Sequence, residues 1–417
     1  MRDQTHDRSQ PPLDFEAPTS HHPDTPGKYI STLLRLTAIL LAATLAAHAQ
    51  WDIEESHTTA SLRGIHNVGG GVAWASGTNG TVLRTEDGGY LWQTCAIPPG
   101  AENLDFRGIQ AFDENTAIVM SSGPGDQSRL YKTTDGCQTW KLLFTNPDKQ
   151  GFWDAINFNI GEDGGASTNR WGTLIGDPVD GKFAEFGTAN AGDHWERYIE
   201  STSTPAREGE SLFAASNSSL LYLRGGTIFV TGGKSGSRSR TTQEDVKHDP
   251  RVSWNFIGGD IPLGSGEASG AFSVATSTSP HAPPAKNGYH NLVSVIGPSD
   301  VFVAVGGNYT KPDRSQETAA WSSDGTKTWH PAQTPPHGYR SSVAYDPTQK
   351  LWITVGPNGT DISRDDGRNW RVLKPSNQDP ADADKNWNAL SLPFVVGPNG
   401  RIGKLRTIAP APSAPKP

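Results

Sequence analysis

The sequence predicts an all-β fold: a seven-bladed β-propeller whose last blade is completed by a strand from near the start of the chain. Three observations predict it. An eight-residue phrase recurs at blade spacing, a tryptophan-led alternating strand follows each copy, and Asn-Gly hairpins join the other strands. Composition agrees, since 417 residues carry 46 Gly, 31 Pro and 13 Trp against 2 Met. Gly and Pro interrupt helices, whereas aromatic residues suit pleated surfaces, so almost no helix is expected.

The phrase places a hydroxyl residue first, an acid two positions later and Trp five after the acid. It reads TEDGGYLW (Asp87, Trp92), TTDGCQTW (Asp135, Trp140), TANAGDHW (Asn190, Trp195), SSDGTKTW (Asp324, Trp329) and SRDDGRNW (Asp365, Trp370), with a worn copy KHDPRVSW (Asp249, Trp254). The acid positions lie 48, 55, 59, 75 and 41 residues apart, the period of a four-stranded blade rather than of a helical solenoid.

Each Trp opens a strand, as in WQTCAI, WKLLF, WERYI and WRVL, and a second strand follows in LRGIHNV, FRGIQAF, WDAINF and YRSSVAY. The remaining two strands of a blade form a hairpin spelled out by Asn-Gly at Asn79, Asn358 and Asn399, a strong short-range hairpin signal. Residues 387–406 supply only three strands, and WDIEESHT from Trp51 supplies the missing outer one. Closing the ring in this way removes an exposed sheet edge. The fifth blade is enlarged by the insertion STSPHAPPAKNGYH.

Three parts are expected: residues 1–49 as a polar leader plus signal peptide, 50–406 as one propeller, and 407–417 as a Pro/Ala-rich tail. The export reading rests on basic Lys28 and Arg35, the apolar run Leu36 to Leu45, and the small-x-small ending Ala47, His48, Ala49. That pattern predicts cleavage after Ala49 and a periplasmic or extracellular mature chain with no membrane span. Cys95 and Cys137 would then meet an oxidising compartment, where a disulfide between neighbouring blades and two isolated thiols are both open.

Removing residues 1–49 leaves 32 basic and 39 acidic residues, a formal charge of about −7, which argues against general nucleic-acid binding. HExxH, GxSxG and CxxC patterns are absent from the sequence, and GGKS at 232–235 has Ile228 where a phosphate loop needs Gly. Neither a metal nor a cofactor is expected.

The phrase S/T-x-D-x-G-x-x-W resembles the Asp-box, or BNR repeat, of sialidases and other propellers. The resemblance implies that hydroxyl and carboxylate cap backbone amides of a turn, that Gly permits the geometry, and that Trp packs between blades. LRGI and FRGI opening inner strands, with such boxes after them, make residues 51–406 similar to the photosystem II stability/assembly factor family. Membership would imply a single propeller acting as a non-enzymatic assembly chaperone with an arginine patch.

The start of each inner strand should ring the channel mouth. An ungapped match of FRGIQAFD with YRSSVAYD sets Arg107 against Arg340, and LRGIHNV adds Arg63. Other blades offer Asp154, Asn388, Glu210 and Glu267, and the loop GGKSGSRSR offers Lys234, Arg238 and Arg240. Three guanidiniums at one mouth suit bidentate recognition of carboxylates, so the expected partner is an acidic protein segment, a membrane-complex subunit or a small anion. Internal Arg-acid pairing that merely fills the channel is an equal alternative. The rival function is a sialidase-like exo-glycosidase for acidic sugars, with Arg63, Arg107 and Arg340 as a triad and Tyr339, Glu210 or Asp154 nearby. The sequence lacks the Arg-Ile-Pro motif that usually accompanies it.

Overall fold

Each copy of the phrase within the described residues folds as one self-capped turn. Thr85 Oγ1 donates to Asp87 Oδ1 at 2.8 Å, while the amides of Gly89 and Leu91 donate to Thr85 Oγ1 and Asp87 Oδ1. Thr133–Asp135, Ser322–Asp324 and Ser363–Asp365 repeat the hydroxyl-to-acid bond, and Thr188 donates in the same way to the amide oxygen of Asn190. The hydroxyl and amide of Thr139 push the Asp135 carboxyl down to about 2, because hydrogen bonds to the charged form favour it. These carboxylates are occupied by their own turns.

The computed structural model describes residues 51–159, 170–198, 203–223, 226–244, 254–277 and 300–408, with backbone alone for 242–244 and 254–257. The leader, Asp249, positions 278–290 of the insertion and the tail from 409 lie outside them. Among the described residues the only helix is the short 3₁₀ turn Gly125–Gln127. All else regular is strand, in seven antiparallel sheets. The inner strands are Leu62–Gly69, Phe106–Ala111, Trp153–Phe158, Leu220–Leu223, Gly266–Thr276, Ser342–Asp346 and Ala389–Ser391. Each packs against the next, and the seventh against the first, so the protein is a seven-bladed β-propeller. In blade 7, Ile402–Leu405 pairs with Trp51–Glu54, which supplies its outermost strand.

The core lies between blades. Inner-strand residues Ile65, Ile109, Ile156, Leu220, Val274, Val343 and Leu390 are all buried, one per blade, while the residue after each turns to the channel, the two-residue alternation of a strand. Further out, Trp residues at the start of outer strands reach the preceding blade. Trp140 donates to Ala96 O, Trp329 to Ser239 Oγ, Trp92 to Glu54 and Trp51 to Thr360 Oγ1. Each buried aromatic removes about 150–250 Å² from water, on the order of 4–6 kcal/mol of gross transfer free energy, so these rings weld adjacent sheets.

Asn79 and Gly80 (φ 60° and 65°) and Asn399 and Gly400 (58° and 69°) adopt left-handed backbone, as two-residue hairpins with the twist of the strands require. Asn358 does not; its side chain instead donates to Pro312 O and accepts from Arg340. Cys95 and Cys137 are disulfide-bonded, with Cα atoms 5.3 Å apart. The bond links the outer edge of blade 1 to the phrase turn of blade 2, where Cys137 has φ 65°.

Candidate functional site

Four inner strands carry a β-bulge, three of them near the start and one midway along Gly266–Thr276. The ladder slips between Leu62 and Gly64, Phe106 and Gly108, Trp153 and Ala155, and Ala271 and Ser273. The extra residues are Arg63, Arg107, Asp154 and Phe272. A bulge re-aims one side chain while the strand continues in register beyond it; here Arg63 and Arg107 stay partly exposed at the strand starts that ring the mouth, whereas Asp154 and Phe272 are buried.

Arg63 and Arg107 meet on one carboxylate. Arg63 Nε lies 3.3 Å from Asp105 Oδ1, and Arg107 Nε donates to Asp105 Oδ2 at 2.8 Å. A second Arg107 nitrogen donates to Ala214 O at 3.1 Å. Both arginine side chains stay partly exposed, 30% and 28%. Burial, and secondarily the neighbouring Arg107, lower the Arg63 pKa against the opposing pull of Asp105. Asp154 is enclosed, and burial first, then Asp177, raise its carboxyl well above the usual range despite Arg107. Burial also lifts Asp177 to about 6, although the Leu212 amide donates to it at 2.9 Å. Two guanidiniums therefore face one shared carboxylate and a second acid biased toward its neutral form, which leaves surplus positive charge at the mouth.

An aromatic wall stands opposite. Phe213 and Phe272 stack with centroids 4.0 Å apart, and Tyr309, half exposed, meets both edge-on. Phe272 also meets Tyr339 at 4.8 Å. The Tyr339 hydroxyl interacts with Arg63, but burial drives its pKa far up. Phe272 and Tyr309 carry no charge, so the charge pattern of the sequence does not point to them.

Arg340 does not join Arg63 and Arg107. Its amide donates to Gly306 O of the preceding blade, as Leu62 donates to Gly397 O and Trp387 to Gly356 O. It thus takes the place of Leu62, and Ser341, not Arg340, matches Arg63. The ungapped alignment is one residue out because blade 6 is shorter beyond its buried inner-strand position: Ile109 lies four residues before the turn acid Asp113, whereas Val343 lies three before Asp346. The Arg340 side chain is fully buried against Asp361, His337 and Asn358.

Other expected mouth residues are also engaged elsewhere. Glu210 precedes the inner strand of blade 4 by ten positions and forms a buried ion pair with Arg238, supported by Thr231 Oγ1 and the Arg207 amide. Glu267 lies five residues before the bulge of its blade and pairs with exposed Lys234 at 2.7 Å. Asn388 donates to Leu62 O at 2.7 Å, joining blade 7 to blade 1. Arg240 pairs in register with Phe229 within blade 4. Of the glycosidase candidates, Arg340 and Glu210 are held in buried ion pairs with Asp361 and Arg238, whereas Tyr339 lies beside Arg63.

The chain is similar in structure to YCF48 bound to D1 peptide, at 15% identity and TM-score 0.53, covering 87% of this chain and 100% of that one. It is also similar to YCF48 from Cyanidioschyzon merolae, at 17% identity and TM-score 0.50, covering 86% and 99% respectively. At these identities the likeness is one of fold. No protein-family model and no curated protein matches the chain.

Proposed function

We propose that this propeller is a protein-binding module, an assembly-factor type of scaffold, whose Arg63–Arg107 mouth receives an acidic segment of its partner. The carrying observation is the pair of partly exposed guanidiniums, on adjacent blades, that share only Asp105. An incoming carboxylate gains charge-assisted hydrogen bonds there from groups already oriented by the bulges. The binding of a D1 peptide by a propeller of the same fold supports the reading. The export segment read from residues 28–49 supports an encounter in the cell envelope or beyond it.

The test is calorimetric titration with a synthetic peptide rich in Glu and Asp, beside its Gln/Asn counterpart. The wild type should prefer the acidic peptide, and the preference should weaken with salt. Arg63→Ala with Arg107→Ala should reduce affinity at least tenfold without changing the melting temperature. Equal affinity in variant and wild type, or equal binding of the neutral peptide, would overturn the reading.

A further inference from the structure

A second site lies further along the same axis. A cavity of about 650 Å³ occupies the channel where the inner strands end, within the range of about 300–1,000 Å³ common for small-molecule sites. It is separated from the arginine mouth by the segment 214–218. Ala214 O receives Arg107 on the mouth side, whereas Ser216, Asn217 and Ser218 line the cavity. The Asn217 side chain accepts from Ile156 N and donates to Ile156 O and Ile109 O. Ser216 Oγ donates to Ser341 O, and Ser218 Oγ donates to Ser273 Oγ. One segment thus ties blades 2, 3, 5 and 6 across the axis and closes the cavity toward the mouth.

The walls are divided by chemistry. Each blade contributes the residue that follows its buried inner-strand position. Blades 7, 1, 2 and 3 present Ser391, His66, Gln110 and Asn157, a continuous polar arc. Blades 4, 5 and 6 present Leu221, Ala275 and Ala344, a continuous apolar arc.

The charged groups at the rim are already engaged. Asp346 accepts from the amides of Thr348 and Gln349 and from Gln349 Nε2. Arg406 pairs with Asp52 and Asp379. An anion entering this cavity would lose hydration and meet no cation outside an ion pair among the described residues, and a cation would meet only Asp346, whose two oxygens already accept three N–H bonds. A neutral molecule would set its polar edge on one arc and its hydrocarbon on the other.

We infer that the channel cavity is a binding site for an uncharged amphiphilic small molecule, one with an aliphatic body and an amide- or hydroxyl-bearing edge. The site is separate from the arginine mouth and does not depend on what binds there.

Hexanamide is a suitable probe, with hexanoate and hexylammonium as charged controls of the same length. Saturation-transfer NMR on the full chain should show hexanamide bound and both ions at least tenfold weaker. Ala344→Trp, which fills the cavity from the apolar arc, should abolish the signal, and Gln110→Leu should weaken it. Arg63→Ala, which leaves the Arg107–Ala214 bond in place, should leave it unchanged, so this result and that at the mouth are independent. Should Ala344→Trp fail to fold, Ala275→Leu tests the same wall. The proposal is overturned by no saturation transfer to hexanamide, which would mean a cavity holding solvent only. Equal binding of the charged controls, or undiminished binding in a folded cavity-filling variant, would overturn it as well.

Discussion

The indole Nε1–H of Trp92 donates to Glu54 Oε2 at 2.8 Å, joining the outer turn of blade 1 to the strand that completes blade 7. Lys404 Nζ crosses the same seam to Gly88 O at 2.7 Å. Trp51, on the closing strand, is buried and reaches back to Thr360 of blade 6. The strand Trp51–Glu54 is thus held from both sides. Deleting residues 51–58 should expose the edge Ile402–Leu405 and lower the melting temperature by ten degrees or more, on the order expected for losing a buried Trp and a paired strand. Unchanged calorimetric melting would show that this strand does not stabilise the ring.

The seam also predicts a pH dependence. Burial raises Glu54 from its ordinary 4.5 to about 7, against the favourable bond from Trp92. Glu185, enclosed and accepting from the Thr204 amide at 2.8 Å, likewise rises to about 7. A carboxyl with a higher pKa in the folded state stabilises the fold fully below its unfolded pKa, and that contribution disappears as pH climbs through the folded pKa. Melting temperature should therefore fall between pH 5 and pH 8. Glu54→Gln and Glu185→Gln, which keep an acceptor oxygen but cannot ionise, should each reduce the fall. A melting temperature that rises across this interval would contradict the assignment.

Cys95 and Cys137 close a sequence separation of 42 residues. In the chain-entropy account, a loop of this length corresponds to about 4 kcal/mol of stabilisation through the unfolded state. Cys95→Ser with Cys137→Ser should lower stability by a few kcal/mol in denaturant titration, with peptide mapping of the parent chain showing the cross-link. Equal unfolding midpoints for oxidised parent and double variant would count against it.

Arg340 should behave differently from Arg63 and Arg107. Replacing it by Ala strands Asp361, whose carboxylate is held below its usual range by His337 and Arg340 although burial opposes this. Breaking a buried pair from one side costs about 3–5 kcal/mol. Arg340→Ala should therefore destabilise the fold, and Arg340→Leu with Asp361→Leu should recover part of the loss. An Arg340→Ala protein as stable as the parent, but unable to bind an acidic peptide, would return this residue to the mouth.

The architecture was legible in the sequence because its determinants are local. A hydroxyl and an acid two residues apart cap their own turn, Asn-Gly prefers the backbone of a tight hairpin, and Trp at a strand start has a neighbouring blade to pack on. Six copies of the phrase mark six blades, and the closing strand from Trp51 marks the seventh. The phrase's carboxylates could be read as architectural for the same reason, since their bonds reach no further than four residues along the chain.

Only tertiary structure decided the site, because there a one-residue change in register separates a mouth side chain from a core one. LRGI and YRSS look equivalent in sequence, yet the Arg340 amide pairs across blades where that of Leu62 does, so Arg340 takes a core place and needs Asp361, while Arg63 stands one residue further along its strand. Whether Glu210 is a ligand or a buried partner likewise depends on Arg238, 28 positions away, and a five-residue crossing from 214 to 218 determines where the mouth ends and the cavity begins. Local hydrogen bonding specifies blades; the pairing of charges across blades depends on how the ring brings distant segments together.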